Sequence, residues 1–242
     1  MLSKLQPENL ICIDIETVPA VETFNELNKD LQEMFKAKTQ RLRSENQTDD
    51  EHYFNSAGIY AEFGKVICIC VGMFIKPKLK TGEWKLRIKS FSGDEKEVLK
   101  NFSTMLNKLN KKTAYSFAGH NIREFDIPYL CRRMMVHQME LPALMDISGK
   151  KPYEVNWVDT MQLWRFGDIK HYTSLKLLAA TLGITSPKDD IEGKDVGCVF
   201  WKEKNLPRIV SYCQKDVATV AQLVMRFKGM TLLSENQIEI VD

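Results

Sequence analysis

A chain of 242 residues, 44% hydrophobic and 27% charged, suits one α/β domain with a substantial core. A formal net charge of +2 excludes a protein held on nucleic acid by overall charge alone, but leaves room for a local basic groove. The longest apolar run, residues 66–75, is about half of what a membrane helix needs and fits a buried strand. The first residues carry no signal-peptide core. The six cysteines (12, 68, 70, 131, 198 and 213) form no CxxC pair. A soluble, cytoplasmic chain with buried, reduced thiols is expected, without disulfides, a zinc site or a membrane partner.

Residues 10–16 alternate, with Ile11, Ile13 and Ile15 on one face and Cys12, Asp14 and Glu16 on the other, which predicts a strand. From Phe24 a helical spacing runs through Leu27, Leu31 and Phe35. Residues 44–51 (SENQTDDE) are polar and acidic and read as a mobile loop. Residues 66–74 and 84–91 predict paired strands joined through residues 77–82. Ser92-Gly93-Asp94 then caps a helix with Val98, Phe102, Leu106 and Leu109 on its apolar face.

A short strand is expected over residues 114–118, with Gly119-His120-Asn121 as the loop leaving it. Residues 127–136 predict a helix with Pro128 in its first turn, and residues 155–158 another short strand. Thr173 or Ser174 caps a helix ending at Gly183. Residues 186–197 form a polar loop with two glycines, and the last helix spans about residues 206–228. With no repeat or linker, the order predicts one domain over residues 1–242, a mixed sheet with helices packed on it.

Asp14 and Glu16, two apart on a strand, point to the same side roughly 7 Å apart. At the edge of a core they repel and lose hydration, a cost that a divalent cation offsets; at a solvated strand end they need no partner. Tyr212 and Asp216, four apart, share one helix face beside the stripe Cys213, Val217, Val220 and Val224. A partly exposed tyrosine beside a solvated aspartate satisfies the same spacing. Asp126 follows a strand and a loop and precedes a helix, where a plain N-cap is the default role. That edge is also where ligands bind in α/β sheets. Asn121 offers an amide there, and Phe125 either a stacking face or a core side chain.

These segments resemble a family. ICIDIET (11–17), HNIREFDIPYL (120–130) and YCQKDV (212–217) are similar, in order, to the D-x-E, N-x-x-x-F-D and Y-x-x-x-D motifs of the DEDD, or DnaQ-like, 3′–5′ exonucleases. The spelling most resembles the proofreading domain of family B DNA polymerases and the predicted stand-alone exonucleases related to it. VDTMQLW (158–164), SLKLLAATLGI (174–184) and SPKDDIEGKDV (186–196) extend the resemblance, which is weak only around residues 20–60. Tyr212 stands four before Asp216, as in the tyrosine branch; the histidine branch would need His where Ser211 stands. None of the histidines (52, 120, 137 and 171) takes that position, and His120 reads as a loop residue or a support for the site. Thr17-Val18-Pro19 lacks the glycine found after the first motif in many bacterial proofreading subunits.

The resemblance implies an RNase H-like mixed central sheet with flanking helices. It implies catalytic roles for Asp14, Glu16, Asp126, Tyr212 and Asp216, with the four carboxylates holding two divalent cations, Mg²⁺ or Mn²⁺, roughly 3.5–4 Å apart. Asp14 bridges both ions, Glu16 and Asp216 complete the one carrying the attacking water, and Asp126 holds the second. Tyr212 orients the water, since a phenol with a pKa of about 10 is a poor base at neutral pH. Thr17, Asn121, Phe125 and Lys188 are expected to contact substrate, although Lys188 reads equally as a solvated loop lysine. Asp159 either supports the site or simply begins a helix. The expected substrate is the 3′ end of single-stranded nucleic acid, DNA ahead of RNA, and any proofreading would act in trans with a DNA polymerase or repair partner. RNA as the substrate, a catalytically silent nucleic-acid-binding module, and a structural partner of a polymerase or helicase are the alternatives.

Overall fold

The computed structural model describes residues 5–77, 83–109, 113–168, 170–185 and 191–241. Two runs rich in β-branched and thiol side chains, β1 (Leu10–Pro19) and β2 (Gly64–Ile75), form the antiparallel centre of a sheet. β3 (Lys85–Ser92) adds antiparallel to β2, while β4 (Ser116–Gly119) lies parallel to β1 and β5 (Val158–Asp159) parallel to β4. β6 (Ile238–Val241) closes the other edge, parallel to β3, giving the order β5-β4-β1-β2-β3-β6.

The alternation along β1 sorts the core into two layers, as its sequence predicts. Ile11, Ile13 and Ile15 pack with Val98 and Phe102 of α3 (Glu95–Asn107) and with Leu130 of α4 (Asp126–Val136). Cys12 packs on the other face with Cys213, Val217, Val220 and Val224 of α8 (Leu206–Phe227). The architecture is thus a mixed sheet between helices, α/β as expected. Cys12, Cys68, Cys70 and Cys213 are buried, but Cys131 is half-buried and Cys198 exposed; all six are free thiols. Three of them, Cys68, Cys70 and Cys213, bring their sulfurs within 4.8 Å of one another inside the apolar layer under α8. No helix among the described residues is long and apolar enough to cross a membrane.

Several boundaries differ from the sequence reading. The loop expected over residues 44–51 gives way at Asp49 to α2 (Asp49–Ser56), because Thr48 and Glu51 form a capping box. The Glu51 N–H donates to Thr48 Oγ1 (3.2 Å), and the Thr48 N–H to the Glu51 carboxylate (2.9 Å). The spacing from Phe24 splits into a 3₁₀ turn (Phe24–Glu26) and α1 (Lys29–Thr39), with Asn28 capping the latter through the Leu31 N–H (2.8 Å). The strand expected over residues 155–158 is only Val158–Asp159 and leads directly into α5 (Thr160–Arg165). Ser174 caps α6 (Leu175–Thr181), and Gly183 leaves it at φ +66°, a left-handed conformation that favours glycine. Residues 78–82 and 186–190, which hold part of the β2–β3 connection and Lys188, lie outside the described residues. Beyond them the expected polar loop becomes a 3₁₀ turn (Gly193–Asp195) and α7 (Val196–Trp201).

Candidate active site

β1 outruns its parallel neighbour. Their last paired residues are Cys12 and Ala118, so Asp14 and Glu16 lie beyond the ladder, where β4 has turned away. This opens a crevice at the carboxyl ends of parallel strands, the usual ligand position in such sheets. Gly119 permits the turn, since a Cβ there would stand 2.0 Å from Ile122 Cγ2 and 2.9 Å from the Ile13 carbonyl oxygen. On the other side of β1 the register with β2 shifts between Glu16 and Thr17, an irregularity of the kind that re-aims side chains beside active sites. Asp14 is half-buried and Glu16 buried. Their carboxylate oxygens lie within 4.8 Å of each other and of Cys213 Sγ, and that thiol donates to the Asp14 carbonyl oxygen (3.4 Å).

The loop after β4 is held by a carboxylate. Asp159, buried at the end of β5, accepts the N–H groups of Asn121 (3.1 Å) and Arg123 (3.2 Å). It also caps α5 through the N–H groups of Met161 (3.0 Å) and Gln162 (3.2 Å). Asp159 therefore begins α5 and also holds the loop that carries Asn121, so the two share an anchor. Arg123 Nη2 ties the same loop to the carbonyls of Val155 (2.6 Å) and Trp157 (2.9 Å). His120 supports the loop from behind, with Nε2 2.8 Å from the Thr173 carbonyl oxygen and Nδ1 2.9 Å from Thr160 Oγ1. Burial holds its pKa below the usual histidine value, so the ring is neutral near pH 7 and Nε2–H is the donor to Thr173. Asn121 adopts φ +64°, which asparagine tolerates better than most residues. Its Oδ1 is buried with no hydrogen-bond partner among the described residues.

Asp126 is not a cap. It is the first residue of α4, while Phe125 occupies the cap position with no side-chain bond. The buried Asp126 carboxyl instead lines the same cleft as Asp14 and Glu16. On the far wall, the buried stripe of α8 fixes the helix on the sheet and leaves Tyr212 and Asp216 half-buried along its edge.

These side chains meet. A cleft of about 550 Å³ is lined by Asp14, Glu16, Asp126, Tyr212 and Asp216, and also by Thr17, Asn121 and Phe125. Every expected site residue except Lys188, which lies outside the described residues, faces this one space. Thr17 enters it with its proton engaged, donating to the Gly58 carbonyl oxygen (2.8 Å), so it offers substrate only lone pairs. Phe125 lines the cleft and also packs on the core and on the Tyr129 ring (5.4 Å), combining the two readings of it. The sequence missed the outer wall: Phe54 and Ile59 from α2 and the turn after it, and Tyr172 and Lys194 opposite. The usable signal for the first pair was the Thr48-x-x-Glu51 capping box just upstream.

The electrostatics of the cleft are unusual for a folded interior. Burial and the neighbouring charges of Asp216, Glu16 and Asp126 push the Asp14 carboxyl well above its ordinary range. Burial and Asp216 do the same to Glu16. Burial raises Asp126 to about 7, against the pull of backbone hydrogen bonds, with Asp159 and Asp216 adding to the rise. Burial and the same carboxylates push the Tyr212 phenol far above its usual pKa. No Lys, Arg or His among the described residues forms an ion pair with Asp14, Glu16 or Asp126. A cluster of hard oxygen donors with repelling charges and no cation of its own fits divalent metal.

Among solved structures, the family B DNA polymerase from the hyperthermophilic archaeon Pyrobaculum calidifontis is similar at a TM-score of 0.51 and 15% identity. The likeness covers 94% of this chain and 27% of that one, so this chain spans about a quarter of the polymerase. It shows the fold, which is RNase H-like. The family described as predicted 3′–5′ exonuclease related to the exonuclease domain of PolB matches residues 59–238, and the chain belongs to that family. Asp126, Tyr212 and Asp216 fall within the matched residues; Asp14 and Glu16 precede them. No curated protein matches the chain.

Proposed function

We propose that the chain is a metal-dependent 3′–5′ exonuclease that hydrolyses phosphodiester bonds at the 3′ end of single-stranded DNA. The observation that carries this reading is the convergence of Asp14, Glu16, Asp126 and Asp216 with Tyr212 on one cleft, with no ion pair to the first three among the described residues. Those four carboxylates would hold two divalent cations, for which Mg²⁺ or Mn²⁺ suits the oxygen donors. When bound, such ions lower the pKa of water and stabilise the charge that develops on the leaving 3′ oxygen.

The protein's own groups do the positioning. Tyr212 stays protonated, because its surroundings oppose ionisation, and so donates a hydrogen bond that aligns the attacking water without removing its proton. Asp126, at the positive end of α4, faces the cleft shared with Asp14. Phe125 presents an aromatic face to a base, a contact worth about 1–3 kcal/mol per base. Thr17 and Asn121, which line the cleft, are proposed contacts to the sugar or base, and Lys188 is proposed as a phosphate contact from sequence alone.

Membership in a family related to the PolB exonuclease domain supports DNA ahead of RNA, and a DNA polymerase or repair factor as partner. The six free thiols support a cytoplasmic location. The complete set of carboxylates speaks against a silent binding module. Release of mononucleotides from a 3′-terminal single strand, measured with Mn²⁺ on DNA and RNA in parallel, tests the reading. Asp14→Asn is expected to lose nearly all of it, and undiminished release by that variant sinks the assignment.

A further inference from the structure

The cleft forks. A second hollow of about 440 Å³ opens from the same carboxylates, and Asp14, Tyr212, Asp216 and Tyr172 line both branches. The branches differ in their walls. The first is bounded by Phe54, Ile59 and Phe125. The second is rimmed by Ser174, Lys176 and Thr219, and by Glu192, whose carboxylate pairs with Lys194. Lys176 is exposed and has no ion-pair partner among the described residues. Lys194, by contrast, is neutralised by Glu192 (3.0 Å). Tyr172 stands where the branches part, 66% exposed, a large aromatic surface left in water.

Cutting a polynucleotide divides it into a released and a retained piece, so the bond at the carboxylates must have substrate on both sides. A terminal nucleotide brings one base and one sugar, which suits an aromatic-walled branch. A retained strand brings further phosphates and needs a cation and a way out. Resting on the exonuclease reading above, we infer that the first branch takes the terminal nucleotide and the second the retained strand. Lys176 meets the phosphate next to the cut, and Tyr172 stacks on the adjoining base. These two residues then make the enzyme prefer a strand over an isolated nucleotide ester.

The 4-nitrophenyl ester of thymidine 5′-monophosphate separates the branches, because it fills only the first. Water bonds to its phosphorus, and the bond to 4-nitrophenolate breaks where a strand's 3′ oxygen would leave. The quantity to measure is kcat/KM for a short single-stranded DNA divided by kcat/KM for the ester. In the double variant Tyr172→Ala, Lys176→Gln the ratio should fall at least about tenfold, mainly through KM for the strand. Lys176→Gln alone should flatten the log–log salt dependence of that KM by about 0.7. Tyr172→Phe and Lys176→Arg should keep the ratio. An unchanged ratio in the double variant, with both substrates turned over by the unsubstituted chain, overturns the strand assignment and leaves the exonuclease reading intact. Failure of the unsubstituted chain to cleave either substrate with Mn²⁺ overturns both.

Discussion

Two groups of buried carboxylates sit in this fold and are treated in opposite ways. Glu95, at the start of α3, accepts two bonds from Arg133 (2.8 and 2.6 Å), one from the His137 Nε2 (2.7 Å) and one from the Val66 N–H (2.7 Å). Burial raises its pKa, but these partners outweigh burial and hold the carboxyl below its usual value. Asp14, Glu16 and Asp126 are buried or half-buried too, yet their neighbours are mostly each other and their pKa values rise. The same chain thus satisfies a carboxylate fully where it braces helices, and leaves others in mutual repulsion where a cation is proposed to bind. The contrast supports the proposed site independently of any motif.

The largest effect that tests this contrast is a pair of opposite outcomes. Asp14→Asn removes one ligand and one repelling charge. Activity should fall by several kcal/mol of transition-state stabilisation, about a thousandfold or more. The metal-free protein should nevertheless melt no lower than the unsubstituted chain in a thermal scan, because repulsion is relieved. Glu95→Gln should do the reverse to the fold, since it leaves the Arg133 guanidinium buried without its counter-charge. A loss of about 3–5 kcal/mol in urea unfolding is expected. If Asp14→Asn destabilised the metal-free chain as much as Glu95→Gln, the two groups would not differ as described.

The pH dependence follows next. A carboxyl whose folded pKa lies above its unfolded value binds more protons folded than unfolded in the window between the two. Stability from that group is fully present below the unfolded pKa, near 4, and is lost as pH rises through the folded value, about 7 for Asp126. Metal-free protein should therefore lose on the order of a few kcal/mol from Asp126 between about pH 4 and pH 8, with Asp14 and Glu16 acting in the same direction. Glu95, shifted the other way, contributes stability that is present across this range and fades only toward acid. Mn²⁺ should raise the Tm more at pH 8 than at pH 5, where it must displace protons. Equal metal-induced shifts at both values would contradict the rise assigned to these groups.

The sequence reveals these two groups unequally. β1 and α8 announce themselves by period, since Ile11, Ile13 and Ile15 alternate and Cys213, Val217, Val220 and Val224 recur at helical spacing. The faces that carry Asp14, Glu16, Tyr212 and Asp216 follow from those periods alone. The orientation of Asp126 does not, because a first-turn aspartate looks like a cap until Phe125 is found at the cap position and Asp126 in the cleft. The wall of Phe54 and Ile59 is hidden because a polar, acidic run reads as loop, and its capping box is a local signal outvoted by composition. β6 is four residues whose strand character comes from pairing with β3, a tertiary contact with no local signature. The Glu95–Arg133–His137 bracket is equally invisible, being assembled from residues 38 to 42 positions apart.

The smallest effect belongs to Tyr212. Its hydroxyl sits among the repelling carboxylates, which hold it protonated, and so it belongs to the site by position while carrying no charge of its own. Tyr212→Phe removes one hydrogen bond and leaves the four carboxylates in place. It should lower kcat about ten- to a hundredfold, the range for one misplaced positioning contact. Mn²⁺ affinity, read by calorimetry on the substrate-free protein, should stay within about threefold of the unsubstituted value, since a neutral phenol adds little to cation binding. Loss of Mn²⁺ binding in Tyr212→Phe would mean that the phenol itself holds the cation, and the division of the cleft into charged holders and a neutral aligner would be wrong.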